Sequence, residues 1–289
     1  MGPFGRGCHY PFVGGHELLG RVVEVGGKVT KFKVGDNVGV GCIVGSCKDC
    51  PPCNDGEENY CDKGMISTYN GVKMHNCFGG NQDVRTMGGY SASNVIHEDF
   101  IVKITDGLPL DKAAQIMCAG ITMYSPIKDH GGCDGKKMTI GIVGIGGLGT
   151  MGVKLARALG HDVCAISRSA DKKDICLKKG ATHFVASKDP KSIEAMAGKC
   201  NIIINTASAA HDPMVYWPLL AKNGVMVAIG VNPVPAKIPQ MVLIRNRQTY
   251  TGSIIGGIAA TQEVLDLCAK HKIWPDCETI NADKIGWVW

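Results

Sequence analysis

The segment Met138–Gly144 reads MTIGIVG, an apolar run of strand character ending in glycine. It continues as Gly144-Ile145-Gly146-Gly147-Leu148-Gly149 into TMGVKLARALG. There Val153, Leu155, Ala156 and Leu159 recur at helical spacing, and Gly160 suits the residue just past a helix end. Strand, G-x-G-x-x-G and helix, in that order, are what a phosphate-binding βαβ unit requires. Gly144 permits the tight turn, Gly146 lets the backbone approach a pyrophosphate, and Gly149 lets helix and strand pack closely. Gly147 and Leu148 complete a loop from which the helix N-terminus offers free N–H groups to the anion.

A lone glycine motif is weak evidence, but further alternation follows it. Val163–Ser167 precedes a Lys-rich helical stretch, and His183–Ala186 precedes a helix near Ser192–Ala197. Asn201–Thr206 precedes a helix around Val215–Ala221, with Gly224–Gly230 as the next strand. Units of this length predict an α/β fold with a doubly wound parallel sheet, a Rossmann domain. The dinucleotide is read at the end of the second strand, where an NAD site places Asp or Glu on the ribose hydroxyls. This chain has Ser167-Arg168-Ser169 there, then Lys172 and Lys173, and no carboxylate at the strand end. A hydroxyl, a guanidinium and an ammonium suit a 2′-phosphate, so the coenzyme expected is NADP(H). The other reading of the same charges is a solvated helix start.

Fourteen cysteines are present, and their spacing separates them. Cys47, Cys50, Cys53 and Cys61 form C-x2-C-x2-C-x7-C, whereas Cys8, Cys42, Cys77, Cys118, Cys133, Cys164, Cys176, Cys200, Cys268 and Cys277 are scattered singly. The loop SCKDCPPCNDGEENYC is too rich in Pro, Asp, Asn and Gly to fold by burying apolar side chains. Four thiolates closing a tetrahedral site at about 2.3 Å per bond supply the missing stabilisation, and a filled shell leaves no place for substrate. A structural zinc is therefore expected; an iron–sulfur set and chance clustering are the alternatives.

A length of 289 residues favours two domains. The net charge of +5 is too mild and dispersed to argue for nucleic acid or an anionic membrane. The longest stretch free of ionisable Asp, Glu, Lys, Arg and His, Met138–Val153, is shorter than the roughly 20 residues of a bilayer span. The N-terminal MGPFGRGCHYPF has no apolar signal core, so a cytoplasmic protein is expected.

In the first half, Gly15-His16-Glu17-Leu-Leu-Gly20 with Gly26 and Val29 forms G-H-E-x2-G-x5-G-x2-V, followed by a turn at Gly35-Asp36 between two β-like runs. His beside Glu in such a turn offers an imidazole and a carboxylate to one cation, although a satisfied strand-start histidine fits these residues as well. The G-H-E signature, the four-Cys loop, Cys118-Ala119-Gly120 and G-I-G-G-L-G together resemble the zinc-containing medium-chain alcohol dehydrogenases. YPFVGGHE, GDNVGVGCIVGSCKDC, MCAGITMYSP and IGIVGIGGLG are most similar to the cinnamyl alcohol dehydrogenase branch.

That resemblance implies a mostly β, GroES-like catalytic domain beside the Rossmann domain. It also implies a catalytic zinc held by an early Cys, the His of G-H-E and the Cys before Ala-Gly, with the adjacent Glu as exchangeable ligand. Residue by residue this gives His16, Glu17 and Cys118. It further implies that Thr122 contacts the nicotinamide side of the coenzyme, and that Ser167, Arg168 and Lys172 hold the 2′-phosphate, Arg168 standing where that branch usually has Ser. The expected partners are a small aldehyde or alcohol and a second copy of the chain, paired through the last strand of the nucleotide domain near Gln248–Ile255.

The family's early Cys lies on an N-terminal strand that this chain starts too late to contain, and Cys8 and His9 align with no family ligand. Set against the family, the chain is expected to be a fragment or an abbreviated paralogue. Residues 1–110 would be a partial catalytic domain with the zinc loop, 111–256 the NADP-binding domain, and 257–289 a remnant of the closing catalytic segment, with a helix near Thr261–Lys270 and a strand leading to Ile280. The expected activity is hydride transfer between NADPH and an aldehyde. A scaffold that binds NADP and zinc without catalysis, and a zinc-independent reductase of the same superfamily, are the alternatives.

Overall fold

A computed structural model describes residues 10–11, 13–72 and 85–287. Cys8, His9 and Cys77 lie outside them. Eleven strands are present among the described residues, falling into three sheets. Five short ones come first: β1 (Leu18–Arg21), β2 (Asn37–Val40), β3 (Ile43–Gly45), β4 (Ile66–Ser67) and β5 (Val102–Lys103). β1, β2 and β5 form an antiparallel sheet in the order β1-β2-β5, and β3 pairs with β4. Of the two β-like runs flanking Gly35-Asp36, only the second is a strand. The first, Lys31–Val34, is irregular, and the expected turn follows it with Gly35 at φ +97°.

The second half forms one six-stranded parallel sheet from β6 (Thr139–Val143), β7 (Asp162–Ser167), β8 (His183–Ala186), β9 (Cys200–Asn205), β10 (Leu220–Ala228) and β11 (Thr249–Gly252), in the order β11-β10-β9-β6-β7-β8. This is the doubly wound order, in which the sequence direction reverses between β6 and β9 and opens a crevice at the strand C-termini. Register is continuous there, with Ile142 opposite both Ala165 and Ile204. Strands covered on both faces read as unbroken apolar runs. Accordingly Ile140, Ile142, Val163, Ala165, Ile166, Ile203 and Ile204 are fully buried, the isoleucines and the valine worth about 1.5–3 kcal/mol each.

The helix Ala119–Asp129 packs against the helix Gly147–Ala158 that leaves β6, with Met123 filling the space over Gly152. Helix Ile258–His271 buries Val264, Leu265 and Cys268 in the same core.

Two expectations from sequence fail. The segment expected as a helix around Val215–Ala221 is a 3-10 turn over Pro213–Leu219, and Leu220–Ala221 already belong to β10. Pro218 removes an amide donor that an α-helix there would need and its ring clashes with the preceding turn. No strand leads to Ile280: Ile273–Asn281 runs irregularly into a 3-10 turn at Ala282–Trp287, and Pro275 interrupts any ladder there.

Candidate functional site

The four-Cys loop leaves β3 at Ser46 and contains one helical turn, Pro51–Asn54. The thiol sulfurs of Cys47, Cys50, Cys53 and Cys61 all lie within 4.8 Å of one another. Cys47 to Cys53 and Cys50 to Cys61 are 3.9 Å apart. A disulfide needs about 2.05 Å, whereas the edge of a tetrahedron with 2.3 Å metal–sulfur bonds is about 3.8 Å. Backbone amides of Cys47, Cys50 and Asp62 donate to the sulfurs of Cys61, Cys47 and Cys50 at 3.3–3.4 Å. Backbone amide bonds, that of Asp49 first, hold the Cys47 thiol down to about 6. Spacing and amide support both fit a tetrahedral tetrathiolate metal.

A second cluster joins distant parts of the chain. His16 sits in the turn before β1, its ring 5.9 Å from that of Tyr69. Cys118 occupies the N-cap of helix Ala119–Asp129, where the helix dipole favours a thiolate. Cys42 lies in the Gly41–Cys42 link between β2 and β3. One donor atom from each of His16, Cys42 and Cys118 falls within 4.8 Å of the other two, and all three residues are half-buried. Cys118 accepts hydrogen bonds from the Cys42 thiol, from His16 and from Glu17, which bring its own thiol down to about 5. Burial, reinforced by that thiolate, raises Glu17 to about 7. The Cys42 thiol is pushed up, first by donating to Cys118 and then by burial. A soft thiolate pair with an imidazole is a donor set that fits zinc.

Sequence reasoning names His16, Glu17 and Cys118 but not Cys42. The available signal is its place in GVGCIVGSC, between the glycine that follows one strand and the start of the next.

At the nucleotide loop the three glycines have distinct surroundings. Gly144 has φ +87°. A Cβ on Gly149 would lie 2.0 Å from the Gly144 carbonyl oxygen, and one on Gly146 would meet nothing within 4 Å. Helix Gly147–Ala158 is capped by Gly146, so its first amides, including those of Leu148 and Gly149, point out of the loop. Thr206, at the end of β9, donates to the Val143 and Gly144 carbonyls at 2.8 and 2.9 Å and braces the turn from across the sheet; sequence reading missed it. Ser167 ends β7, with Arg168 exposed beyond it. Lys172 donates to the Ile145 carbonyl at 3.0 Å, which sets its ammonium against the glycine loop. Thr122 lies one turn into the Cys118 helix, its amide donating to the Cys118 carbonyl.

These features set out a dinucleotide-type crevice and two thiolate-rich clusters that fit metal ions, the outline of a zinc-dependent dehydrogenase. Comparison with known proteins agrees: residues 147–270 match the family model described as zinc-binding dehydrogenase, and residues 2–106 match the alcohol dehydrogenase GroES-like domain. An NADP-dependent alcohol dehydrogenase C of Mycolicibacterium smegmatis is 44% identical over 96% of this chain and 77% of its own length. Cinnamyl alcohol dehydrogenase 8 of Arabidopsis thaliana is 47% identical over 96% of this chain and 75% of its own. Among solved structures, a cinnamyl alcohol dehydrogenase from Sorghum bicolor superposes with a TM-score of 0.89 at 39% identity, covering 97% of this chain and 78% of that one. The Helicobacter pylori enzyme complexed with NADP(H) gives 0.85 at 37% identity, covering 98% and 78%. The chain belongs to the zinc-containing medium-chain alcohol dehydrogenases, in their cinnamyl alcohol dehydrogenase-like branch.

Proposed function

We propose that the protein interconverts an aldehyde and its alcohol with NADP(H), at a zinc held by His16 and Cys118 with Glu17 beside it. The substrate class is aryl and cinnamyl aldehydes or a broad aliphatic range. The observation that carries this reading is the convergence of His16, Cys118 and a second thiol at the N-terminus of a helix packed on the nucleotide-binding helix. When bound, zinc supplies Lewis-acid polarisation of the carbonyl oxygen and NADPH supplies the hydride.

The chain's own residues do the rest. Gly146 leaves room for the pyrophosphate, and the amides that open helix Gly147–Ala158 receive its charge. Ser167, Arg168 and Lys172 present a hydroxyl and two cations to a 2′-phosphate. Thr122 faces the nicotinamide side, one turn from Cys118. Cys47, Cys50, Cys53 and Cys61 hold the structural zinc.

Residues 1–110 and 257–289 are assigned to the catalytic part and 111–256 to the nucleotide domain, in keeping with a parallel sheet confined to Thr139–Gly252. A cytoplasmic homodimer completes the proposal. β11 is the sheet's edge strand, and its free ladder suits an isologous pair; no helix among the described residues is long and apolar enough to cross a membrane.

The test is loss of NADPH absorbance with cinnamaldehyde or benzaldehyde, with and without added zinc. Turnover is expected; its absence in both conditions, with coenzyme binding intact, overturns the reading in favour of a scaffold. Coenzyme choice is tested separately. Arg168→Ala and Lys172→Ala are each expected to weaken NADPH binding about tenfold, the scale of one charge-assisted hydrogen bond of roughly 1.5 kcal/mol, and to leave NADH binding unchanged. Fluorescence titration with both coenzymes reads the difference, and equal losses for the two would refute a 2′-phosphate contact.

A further inference from the structure

We propose that Asn59, in the four-Cys loop, is a positioning residue for the coenzyme: it holds residues 253–257 in the shape that receives the nicotinamide mononucleotide. This rests on the NADP(H) reading above and goes beyond it, because it gives the four-Cys loop a part in coenzyme binding.

The first support is place. Residues 253–257 follow β11 on the rim of the parallel sheet where β6 gives way to the glycine loop and β7 to Arg168. A doubly wound sheet binds a dinucleotide across that rim, one mononucleotide to each half. The glycine loop and Arg168 belong to the β6-β7-β8 half, so the second mononucleotide falls to β9-β10-β11, whose outer end these residues form. They also meet the Cys118 helix: a Cβ on Gly256 would collide with Ser125 Oγ and with Ile121.

The second is conformational cost. Ile255, 9% exposed, has φ +39°, a left-handed backbone that a β-branched residue resists. Beside Ile254, Asn59 Oδ1 and Ser253 Oγ are buried without a hydrogen-bond partner. Such costs gather at ligand sites and persist only where the surroundings over-determine the conformation.

The surroundings here are the four-Cys loop. It takes both main-chain polar groups of Ile254: Asn59 Nδ2 donates to the carbonyl at 2.9 Å, and the Tyr60 hydroxyl accepts from the amide at 3.1 Å. Glu58 accepts the Ile258 amide at 3.0 Å, and a Cβ on Gly257 would run into the Gly56 carbonyl oxygen. Of the three side chains only Asn59 is buried. Its bond is therefore the one that water replaces least well.

The experiment compares the 289-residue protein with Asn59→Asp, which keeps the side chain's shape and sets an oxygen against the Ile254 carbonyl. The variant should bind NADPH about tenfold more weakly, the scale of a buried polar group left unpaired. NADH should weaken by the same factor, since the two coenzymes share the nicotinamide half. Adenosine 2′,5′-bisphosphate, which reaches only the β6-β7-β8 half, should bind as it does to the wild type. Fluorescence titration reads all three. Equal losses for NADPH and the bisphosphate, or an unchanged NADPH affinity, overturn the proposal and leave the dehydrogenase reading standing. A wild type that binds neither coenzyme overturns that reading itself.

A second measurement needs no variant and decides the matter even if Asn59→Asp fails to fold. Coupling between two sites is reciprocal, so NADPH should steady the four-Cys loop of the wild type. With a chelator present and a slow alkylating agent, NADPH should protect Cys50 and Cys61 at least about fivefold. Adenosine 2′,5′-bisphosphate should leave their alkylation unchanged. Mass spectrometry maps the two thiols, and their indifference to NADPH overturns the proposal.

Discussion

Cys118→Ala is expected to lower kcat for aldehyde reduction by about 10³-fold or more while leaving NADPH affinity within about twofold. The thiol sits at a helix N-cap, half-buried, and accepts hydrogen bonds from three neighbouring side chains. Packing in this stretch is carried by Ile116, Met117 and Ile121, each 1% exposed or less. Truncation therefore removes a ligand and opens no core cavity. Lewis-acid stabilisation of a developing alkoxide is worth several kcal/mol, and about 4 kcal/mol corresponds to roughly 10³ in rate. Steady-state kinetics, zinc stoichiometry and coenzyme titration on one preparation check this. Near wild-type turnover in a variant that has lost one zinc would remove the metal from the chemistry and revive the zinc-independent alternative.

The parts that were legible before the structure are those whose physics is local. Strand, glycine loop and helix occupy one contiguous stretch, and each glycine answers to neighbours a few residues away: Gly149 is required because the Gly144 carbonyl would collide with its side chain. The four-Cys loop is equally short, and its composition announces that something other than apolar burial holds it. Cys42 and Thr206 are different. Their roles appear only when β2 meets the Met117–Cys118 segment and when β9 comes to lie beside β6. No local period marks either residue, so Cys42 reads as one more cysteine in an apolar run. The errors at Val215–Ala221 and near Ile280 have the same origin in reverse. An apolar pattern alone shows neither which amide Pro218 removes nor which strand stands ready to pair.

Cys50→Ser is expected to lower Tm by about 10 °C and to loosen a region remote in sequence. Cys50 and Cys61 are the buried members of the tetrathiolate set. Structural zinc contributes about 10–16 kcal/mol of apparent binding free energy, and a quarter of that, about 3–4 kcal/mol, follows the loss of one ligand. At about 2–4 °C per kcal/mol in a chain of this size, the shift is near 10 °C. The loop's own ion pair adds little: Lys48 pairs with Asp99 at 2.5 Å, but both are about one-third exposed, and such pairs contribute little.

The loop is also a clamp on the nucleotide domain. Glu58 accepts the Ile258 amide at 3.0 Å, Tyr60 accepts the Ile254 amide at 3.1 Å, and Asn59 donates to the Ile254 carbonyl at 2.9 Å. These bonds fix the passage from edge strand β11 into helix Ile258–His271. Hydrogen exchange in Cys50→Ser should therefore lose protection at Ile254 and Ile258 together with the loop itself. Loss confined to residues 46–62 would mean that the metal stabilises only its own loop, and that the edge strand is held without it.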